Sequence, residues 1–428
     1  MLARLSWSAR HKWVVVAAAT FGMMAAFGVS ATVALVMKPF EIEFGWQRAD
    51  IALAYTLLSA GTAVGGLVCG GFADRVNTRA MVVFGAAVMA AGLMLLSRQD
   101  DLAAIQHIYL AMGVFGFACL FTPLIATVGL WFERGRGLAL GIVTAGGTLG
   151  QGLVPLIMQP LILSFGWREA FLMLGIGYAA LLVPAMALVT KPRDAAGTAA
   201  SSAGQQKAAW PLPPIVSIGW LGAAVIFCCI TMAVPMVHVV TLATDRGFSP
   251  AVAGSLLTTV MFAGVVGRIV FGVIADRIGA LKSYALASIL QTATAYWFVT
   301  LDSLPSLYLL AIAFGVGFSG VMTMFLLCVR EAVPARSAGI STAFIMLLAW
   351  AGMGLGAYQG GYCYDLTGDY TVSFANAAIG GVINLAIVAG LALHLRAASA
   401  SPRWGWGKVQ PAVVKQPMRS GWQVRGRS

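Results

Sequence analysis

The chain has 428 residues, of which 60% are hydrophobic and only 10% are charged, and its formal net charge is +12. Soluble domains have about a quarter of their residues charged, so this composition excludes a soluble globular fold and indicates membrane spans joined by loops. In such a chain membrane topology explains the positive charge, and we expect no nucleic-acid partner.

Twelve segments are apolar and long enough to cross a bilayer, which needs about 20 helical residues. They are residues 13–37, 49–70, 79–97, 106–131, 137–163, 169–190, 214–242, 250–275, 282–300, 305–329, 338–362 and 373–395. Their continuous apolar character excludes β-barrel strands, which alternate between apolar and polar residues. The first segment is longer than the apolar region of a signal peptide, which predicts an uncleaved span.

The charges between the predicted spans separate by sign. With the N-terminus on the inner side, 21 of the 27 Lys and Arg residues lie inside and 10 of the 15 Asp and Glu residues lie outside. This is the distribution that the positive-inside rule requires, so both termini are predicted to be cytoplasmic. The short loops and the lack of a targeting segment favour a bacterial cytoplasmic (inner) membrane, crossed several times.

The spans form two groups of six. Residues 191–213 are small and polar, which predicts a cytoplasmic linker between an N-terminal bundle, 1–190, and a C-terminal bundle, 214–395. Residues 396–428 carry seven basic residues and no acid. We expect this basic cytoplasmic tail to rest on anionic membrane lipid.

The two groups share a motif at an offset of 202 residues. Residues 70–75 (GGFADR) lie between spans 2 and 3, and residues 272–277 (GVIADR) lie between spans 8 and 9. The same offset relates Arg134 to Arg336. Internal repeats of this kind are an architecture of membrane transporters.

This motif resembles the signature loop of the major facilitator superfamily. The resemblance implies an all-α membrane protein with twelve transmembrane helices in two pseudo-symmetric six-helix bundles. It also implies a latch on the inner gate, formed by pairs of acids and arginines. The expected gating residues are Asp74, Arg75, Arg79, Arg134, Asp276, Arg277, Lys282 and Arg336. The alternative is a turn that only keeps positive charge inside. Asn77 departs from the family, which prefers Gly at this position.

Further segments resemble the branch of monocarboxylate porters and oxalate/formate antiporters. They are residues 39–46 (PFEIEFGW), 131–135 (WFERG), 245–247 (DRG) and 361–370 (GYCYDLTGDY). The resemblance implies a secondary active transporter that moves a small monocarboxylate, such as lactate or pyruvate, by alternating access and with proton coupling. The alternatives are a carboxylate exchanger of the oxalate/formate type, a transporter of an unrelated solute, and a transporter-like sensor.

Arg268 is the one charged residue that lies well inside a predicted span. It precedes Asp276 by eight residues, which places it about 12 Å into the membrane. A charge at that depth costs at least about 2.5 kcal/mol unless it is compensated. The guanidinium matches a carboxylate, so Arg268 is expected to hold an anionic substrate, as an arginine at this place does in the monocarboxylate branch. The alternative is that it snorkels to the inner surface or donates hydrogen bonds to backbone carbonyl groups.

Departures from the branch bear on the substrate. Gly264 and Ala31 stand where animal monocarboxylate carriers have an aspartate and a lysine, and span 11 lacks the basic residue of oxalate antiporters. One arginine suits one carboxylate, which favours a monocarboxylate. His238, near the outer end of span 7, is expected to face a cavity, where it either carries a proton or forms a hydrogen bond at a helix end. Tyr358 and Trp350 are further candidates for the cavity wall. The alternative is that they face lipid or neighbouring helices, as aromatic residues in spans usually do.

Other chemistry finds no support in the sequence. It has no phosphate-binding loop, no metal-ligand cluster and no nucleophile–base pair, so we expect neither an enzyme nor a cofactor or metal. The chain is expected to work as a monomer. Glycines at small-x-x-x-small spacing predict close helix packing; they are Gly61, Gly65, Gly66 and Gly70 in span 2 and Gly352, Gly356 and Gly360 in span 11.

Overall fold

The structure, a computed structural model, describes residues 2–72, 77–132, 136–192 and 208–400. These residues are almost entirely helical and contain no strand. Twelve helices follow the twelve predicted spans. They are α1 (Leu2–Phe44), α2 (Arg48–Phe72), α3 (Thr78–Leu96), α4 (Leu102–Trp131), α5 (136–165), α6 (167–186), α7 (Pro214–Asp245), α8 (Pro250–Ile278), α9 (Ala280–Ala295), α10 (Leu304–Ala332), α11 (Ala335–Thr367) and α12 (Thr371–Ala400).

By length and hydropathy alone, the described residues contain ten continuous helices that could cross a membrane. One of them supplies two spans, α5 and α6, because its backbone breaks at Gly166. The ninth span is not among these ten helices, because α9 has only 16 residues and the span is completed by a 3-10 turn, Tyr296–Val299. Large apolar side chains on the outer surface, such as Ile269 (66% exposed) and Leu309 (70% exposed), fit a surface that contacts lipid.

The sequence repeat reappears in the backbone. Gly45 and Gly247, which are 202 residues apart, have φ of 69° and 85°, and Gly166 and Gly368, at the same offset, have φ of 83° and 78°. Glycine adopts this left-handed region readily, and each of these residues ends a helix at an equivalent point of its half.

The two signature loops differ from each other. Gly279, between α8 and α9, has φ of 88°. The equivalent residue of the first half, Asn77, has φ of −62°, and its side chain accepts a hydrogen bond from the backbone N–H of Arg79. Asn77, which departs from the family pattern, therefore caps the N-terminus of α3, whereas the equivalent Gly279 has a positive φ.

Several of the predicted packing glycines lie where helices approach closely. A Cβ at Gly65 would lie 2.4 Å from the carbonyl oxygen of Val114, and one at Gly352 would lie 2.5 Å from that of Ile226. A Cβ at Gly66 would meet nothing closer than 4.0 Å. The prediction of close packing is confirmed at Gly65 and Gly352, whereas Gly66 faces open space.

The most extensive contacts between the N-terminal half (α1–α6) and the C-terminal half (α7–α12), within the described residues, are made by three helix pairs: α1 packs on α7, α2 on α11, and α5 on α8. We call one end of the bundle the acidic end; it carries Glu41, Asp100, Asp245, Asp302 and Asp369. The opposite end is the basic end; it carries Arg79, Arg277, Lys282, Arg330 and Arg396.

Two predicted segments lie largely outside the described residues. They are residues 193–207 of the linker and residues 401–428 of the tail. The domain boundaries at these segments stay predictions.

Candidate substrate cavity and its gate

A network of ion pairs joins the two halves at the acidic end. The guanidinium of Arg48, at the start of α2, lies 2.5 and 2.9 Å from the two carboxylate oxygens of Asp245, at the end of α7. It lies 2.8 Å from the carboxylate of Glu41 in α1, and Lys38 lies 2.9 Å from Asp245. Arg48 is only 1% exposed, so its charge depends on these partners. We call Lys38, Glu41, Arg48 and Asp245 the acidic-end latch.

A helix cap crosses between the halves at the same place. The Asp365 carboxylate of α11 accepts hydrogen bonds from the backbone N–H groups of Arg48 and Ala49, at 3.0 and 2.7 Å. The first turn of a helix has free N–H groups and a positive dipole end, so a carboxylate stabilises it. The Tyr364 ring, also from α11, lies 3.7 Å from the Arg48 guanidinium in a cation–π contact.

The sequence places Arg48 in a loop between predicted spans and does not reveal this latch. A signal was available: five basic residues lie at the acidic end, among ten acids, so a cation there is expected to be paired. The sequence does not show which acid pairs with Arg48, because Asp245 is 197 residues away in the chain.

His238 is fully buried in this conformation, and its predicted position beside a cavity stays a prediction. Its Nε2 lies 2.8 Å from the carbonyl oxygen of Ala357, which can only accept, so we assign the proton to Nε2. Its Nδ1 lies 3.3 Å from the Tyr370 hydroxyl, which also accepts a 2.9 Å hydrogen bond from Arg48. Burial raises the pKa of Tyr370, so this hydroxyl keeps its proton, which it can donate either to His238 or to the Thr241 hydroxyl at 2.8 Å. His238 is thus connected to the acidic-end latch.

Arg268 lies at the contact between the halves. From α8 its Nε donates a 2.9 Å hydrogen bond to the Ser319 hydroxyl of α10, and its Nη1 donates a 3.0 Å bond to the carbonyl oxygen of Thr144 in α5. Both acceptors are neutral, and no acid of the described residues forms an ion pair with it. The guanidinium charge is therefore solvated by dipoles but not neutralised.

A cavity of about 500 Å³ lies between the halves, toward the basic end. Its walls come from α2, α4, α10 and α11 and are mostly apolar, with the hydroxyls of Thr62, Thr122 and Thr342 among them. Arg330, near the end of α10, is the one charged residue in the described lining. A mainly apolar wall with a few polar groups is typical of small-molecule sites.

Aromatic rings connect the cavity wall to the part of α5 that Arg268 contacts. Trp350 forms the deep end of the cavity, and its ring centroid lies 6.1 Å from that of Phe27 in α1. The Phe27 ring packs on Gly147, where a Cβ would meet it at 2.8 Å. Gly147 is one helical turn from Thr144, the acceptor of the Arg268 hydrogen bond. Phe27 therefore contacts both Trp350 of the cavity wall and the turn of α5 that follows the acceptor of Arg268.

Tyr358 does not line this cavity in the present conformation, and its assignment as a substrate contact stays a prediction. It is 37% exposed and stacks on Tyr362. Leu355 and Leu366, on the same face of α11, are 55% and 69% exposed. This apolar, exposed face is a lipid-facing surface. Trp350, on another face of the same helix, lines the cavity instead.

The predicted gating motif is described only in part. Asp74, Arg75 and Arg134 lie outside the described residues, as does the side chain of Arg336. The side chains of Arg79, Asp276, Arg277 and Lys282 are exposed at the basic end. Pairing between these two groups stays a prediction.

Comparison with known proteins assigns the family. The profile of the Major Facilitator Superfamily matches residues 16–219 and again residues 219–426. The chain belongs to the major facilitator superfamily. It is therefore a multi-pass membrane protein, and the predicted fold class is confirmed.

Curated relatives place this facilitator near the monocarboxylate transporters. It is 26% identical to monocarboxylate transporter 13 of Rattus norvegicus over 380 residues, which covers 85% of each chain. It is 26% identical to monocarboxylate transporter 11 of Homo sapiens over 391 residues, covering 85% of this chain and 79% of that one. MFS-type transporter 1 of Ophiocordyceps sp. is 27% identical, with coverage of 71% and 68%.

Solved structures support the fold alone. The peptide transporter POT in complex with sulfate superposes with a TM-score of 0.71 at 16% identity, covering 90% of this chain and 95% of that one. A bacterial homologue of the human lysosomal transporter Spinster, in an inward-facing and unoccupied conformation, gives a TM-score of 0.69 at 14% identity, covering 91% and 97%.

Proposed function

We propose that this facilitator moves a small monocarboxylate across the membrane and that Arg268 binds the substrate carboxylate. The observation that carries the proposal is the charge of Arg268, which lies within a span, between the halves, and has only neutral acceptors. A carboxylate would supply the missing negative charge through two parallel hydrogen bonds. The similarity to monocarboxylate transporters 11 and 13 supports the same substrate class.

The geometry supports alternating access. In this conformation the latch joins the halves at the acidic end, while the cavity lies toward the basic end. The positive-inside rule makes the basic end cytoplasmic, so the conformation is closed to the outside. The opposite state would require separation of Arg48 from Asp245 and closure of the cavity, as in rocking of two bundles about a central site.

Proton coupling would act through His238. A second proton on this imidazole would remove the acceptor that the Tyr370 hydroxyl uses and would place a cation near Arg48. Both effects weaken the latch, so a proton that arrives from outside would favour opening at the acidic end. Glu41, Asp245, Asp365 and Lys38 are the other charged groups around this network.

Two alternatives stay open. A carboxylate exchanger of the oxalate/formate type would use Arg268 in the same way without a proton. A transporter of an unrelated solute would leave Arg268 structural, with its two neutral hydrogen bonds. We place the protein in a bacterial cytoplasmic membrane, with both termini cytoplasmic, and propose that it works as a monomer.

The substrate assignment is tested by binding to the purified protein. We would titrate a panel of monocarboxylates and their uncharged amides and follow the thermal unfolding midpoint. The acids should stabilise the wild-type protein and the amides should not. Arg268→Gln should lose about 10- to 100-fold in affinity, because charged hydrogen bonds contribute more than neutral ones. Equal stabilisation by an acid in both proteins would reject the assignment.

The coupling assignment is tested separately with His238→Gln, which cannot take up a proton. Its uptake should lose most of its dependence on external pH, while binding of the acid to Arg268 is retained. Tyr370→Phe, which keeps the ring and removes the hydroxyl, should show the same loss. An unchanged pH profile in both variants would favour the exchanger.

A further inference from the structure

We propose that a groove on the outer surface of the C-terminal half binds an anionic phospholipid at the basic end. The groove has a volume of about 510 Å³ and lies between α9, α12 and the turn after α8. It is separate from the substrate cavity, which is lined by α2, α4, α10 and α11. The proposal does not depend on which solute is transported.

The walls of the groove are apolar. Leu281 and Ile289 of α9 face Leu385, Val388 and Ala389 of α12 across it. Ile289 is 52% exposed, although it lies within a membrane span. In a bilayer such a groove is filled by acyl chains, because water would leave its apolar surface unfavourably hydrated.

The rim of the groove is charged at the basic end. Lys282 and Arg396 both line it, both are exposed, and neither forms an ion pair with a described acid. Glu331 is the acid on the rim, and its carboxylate accepts a hydrogen bond from the Trp210 indole at 3.2 Å. The rim thus carries one net positive charge, which complements the single negative charge of a phosphatidylglycerol headgroup. Basic pockets between helices at the cytoplasmic side recognise anionic headgroups in this way.

Other occupants fit less well. Residues 401–428 follow α12 directly, but they contain six basic residues and no acid, so Lys282 and Arg396 would repel them. A zwitterionic phospholipid would bring a cation to a positive rim. A free phosphate would leave the apolar walls uncovered. An anionic phospholipid places its charged headgroup at the positive rim and covers the apolar walls with its acyl chains.

The groove also gives Lys282 a role that its motif did not suggest. The left-handed turn at Gly279 reverses the chain between α8 and α9, and Lys282 follows it in the first turn of α9. Its side chain therefore reaches the groove, on the lipid side of the signature loop.

The test is lipid binding to the full-length protein in nonionic detergent, measured by native mass spectrometry. Phosphatidylglycerol, phosphatidylcholine and inorganic phosphate would be titrated in parallel. The wild-type protein should retain phosphatidylglycerol in preference to phosphatidylcholine. The double variant Lys282→Gln/Arg396→Gln should bind it about 30-fold more weakly. The matched control Arg79→Gln/Arg277→Gln removes two charges from the same end, outside the groove, and should bind as the wild type does.

Two further variants separate lipid binding from folding. Lys282→Arg/Arg396→Lys keeps both charges and should retain the lipid. Ala389→Phe fills the groove without changing its charge and should displace the lipid. Equal retention of both phospholipids, wild-type affinity in the double glutamine variant, or displacement of the lipid by inorganic phosphate would overturn the proposal.

Discussion

Arg48 contacts acceptors from both halves of the molecule while it is almost completely buried. Removing one partner of a buried ion pair destabilises a protein by about 3–5 kcal/mol. The carboxylates of Glu41 and Asp245 are 29% and 23% exposed, so we expect Arg48→Gln to lower the free energy of unfolding by a smaller amount, about 2 kcal/mol. Thermal unfolding in detergent measures this loss.

The control for this prediction is Arg168→Gln. Arg168 also lies at the acidic end and pairs with Glu43 and Asp100, but it is 37% exposed and all three residues belong to the N-terminal half. Exposed pairs contribute about 0–1 kcal/mol, so the loss should be smaller. An equal loss in both variants would mean that Arg48 does not have the special role assigned to it.

Single residues were predictable where their chemistry was exceptional. Arg268 stood out because a charge inside a span is rare and costly. The role of Arg48 could not be predicted, because its partner lies about 200 residues away in the chain. The environment of Tyr358 depends on the rotation of α11, which the sequence does not reveal.

At the scale of the helix, neighbouring glycines of α2 should respond in opposite ways to the same substitution. Gly65→Ala would place a methyl group 2.4 Å from a backbone carbonyl oxygen, which forces α2 and α4 apart and should destabilise by about 1–3 kcal/mol. Gly66→Ala meets nothing closer than 4.0 Å and should be neutral or stabilising, because alanine favours the helix by about 1 kcal/mol. Similar unfolding midpoints for the two variants would contradict the packing described here.

The cavity gives a second prediction at this scale. Gly66 lines it, so Gly66→Leu should project a side chain into it and slow transport without unfolding the protein. Gly141→Leu is the matched control, since Gly141 is exposed, has no neighbour within 4 Å and does not line the cavity. Transport that is equally affected by both changes would show that the cavity is not on the solute pathway.

Helices were the most predictable feature, because about 20 apolar residues admit few other structures in a membrane. The twelve spans are confirmed, and the offset of 202 residues predicted the equivalence later seen in the positive φ angles of Gly166 and Gly368. Gly166 was predicted as a loop position between two spans, and its non-helical backbone, with φ of 83°, separates α5 from α6.

If the latch closes the acidic end of the molecule, the cavity must be accessible from the basic end. A cysteine placed at Thr342, in the cavity wall, should react with an impermeant maleimide from the basic side and much less from the acidic side. Asp302→Cys, at a position 88% exposed at the acidic end, is the control for reaction from that side. Adding Arg48→Gln should increase the reaction of the Thr342 cysteine from the acidic side, since the latch is broken. If the Thr342 cysteine reacts equally from both sides, with and without Arg48→Gln, the assigned gate is contradicted.

The proposed mechanism requires Arg268 to bind a monocarboxylate during transport. The most direct test is uptake of labelled monocarboxylates into proteoliposomes with an inward proton gradient, comparing the wild-type protein with Arg268→Gln and Arg268→Lys. We predict uptake by the wild-type protein, loss of uptake with glutamine, and partial uptake with lysine, which keeps the charge but not the paired hydrogen bonds. Uptake of the acid by Arg268→Gln at the rate of the wild-type protein would contradict this role of Arg268.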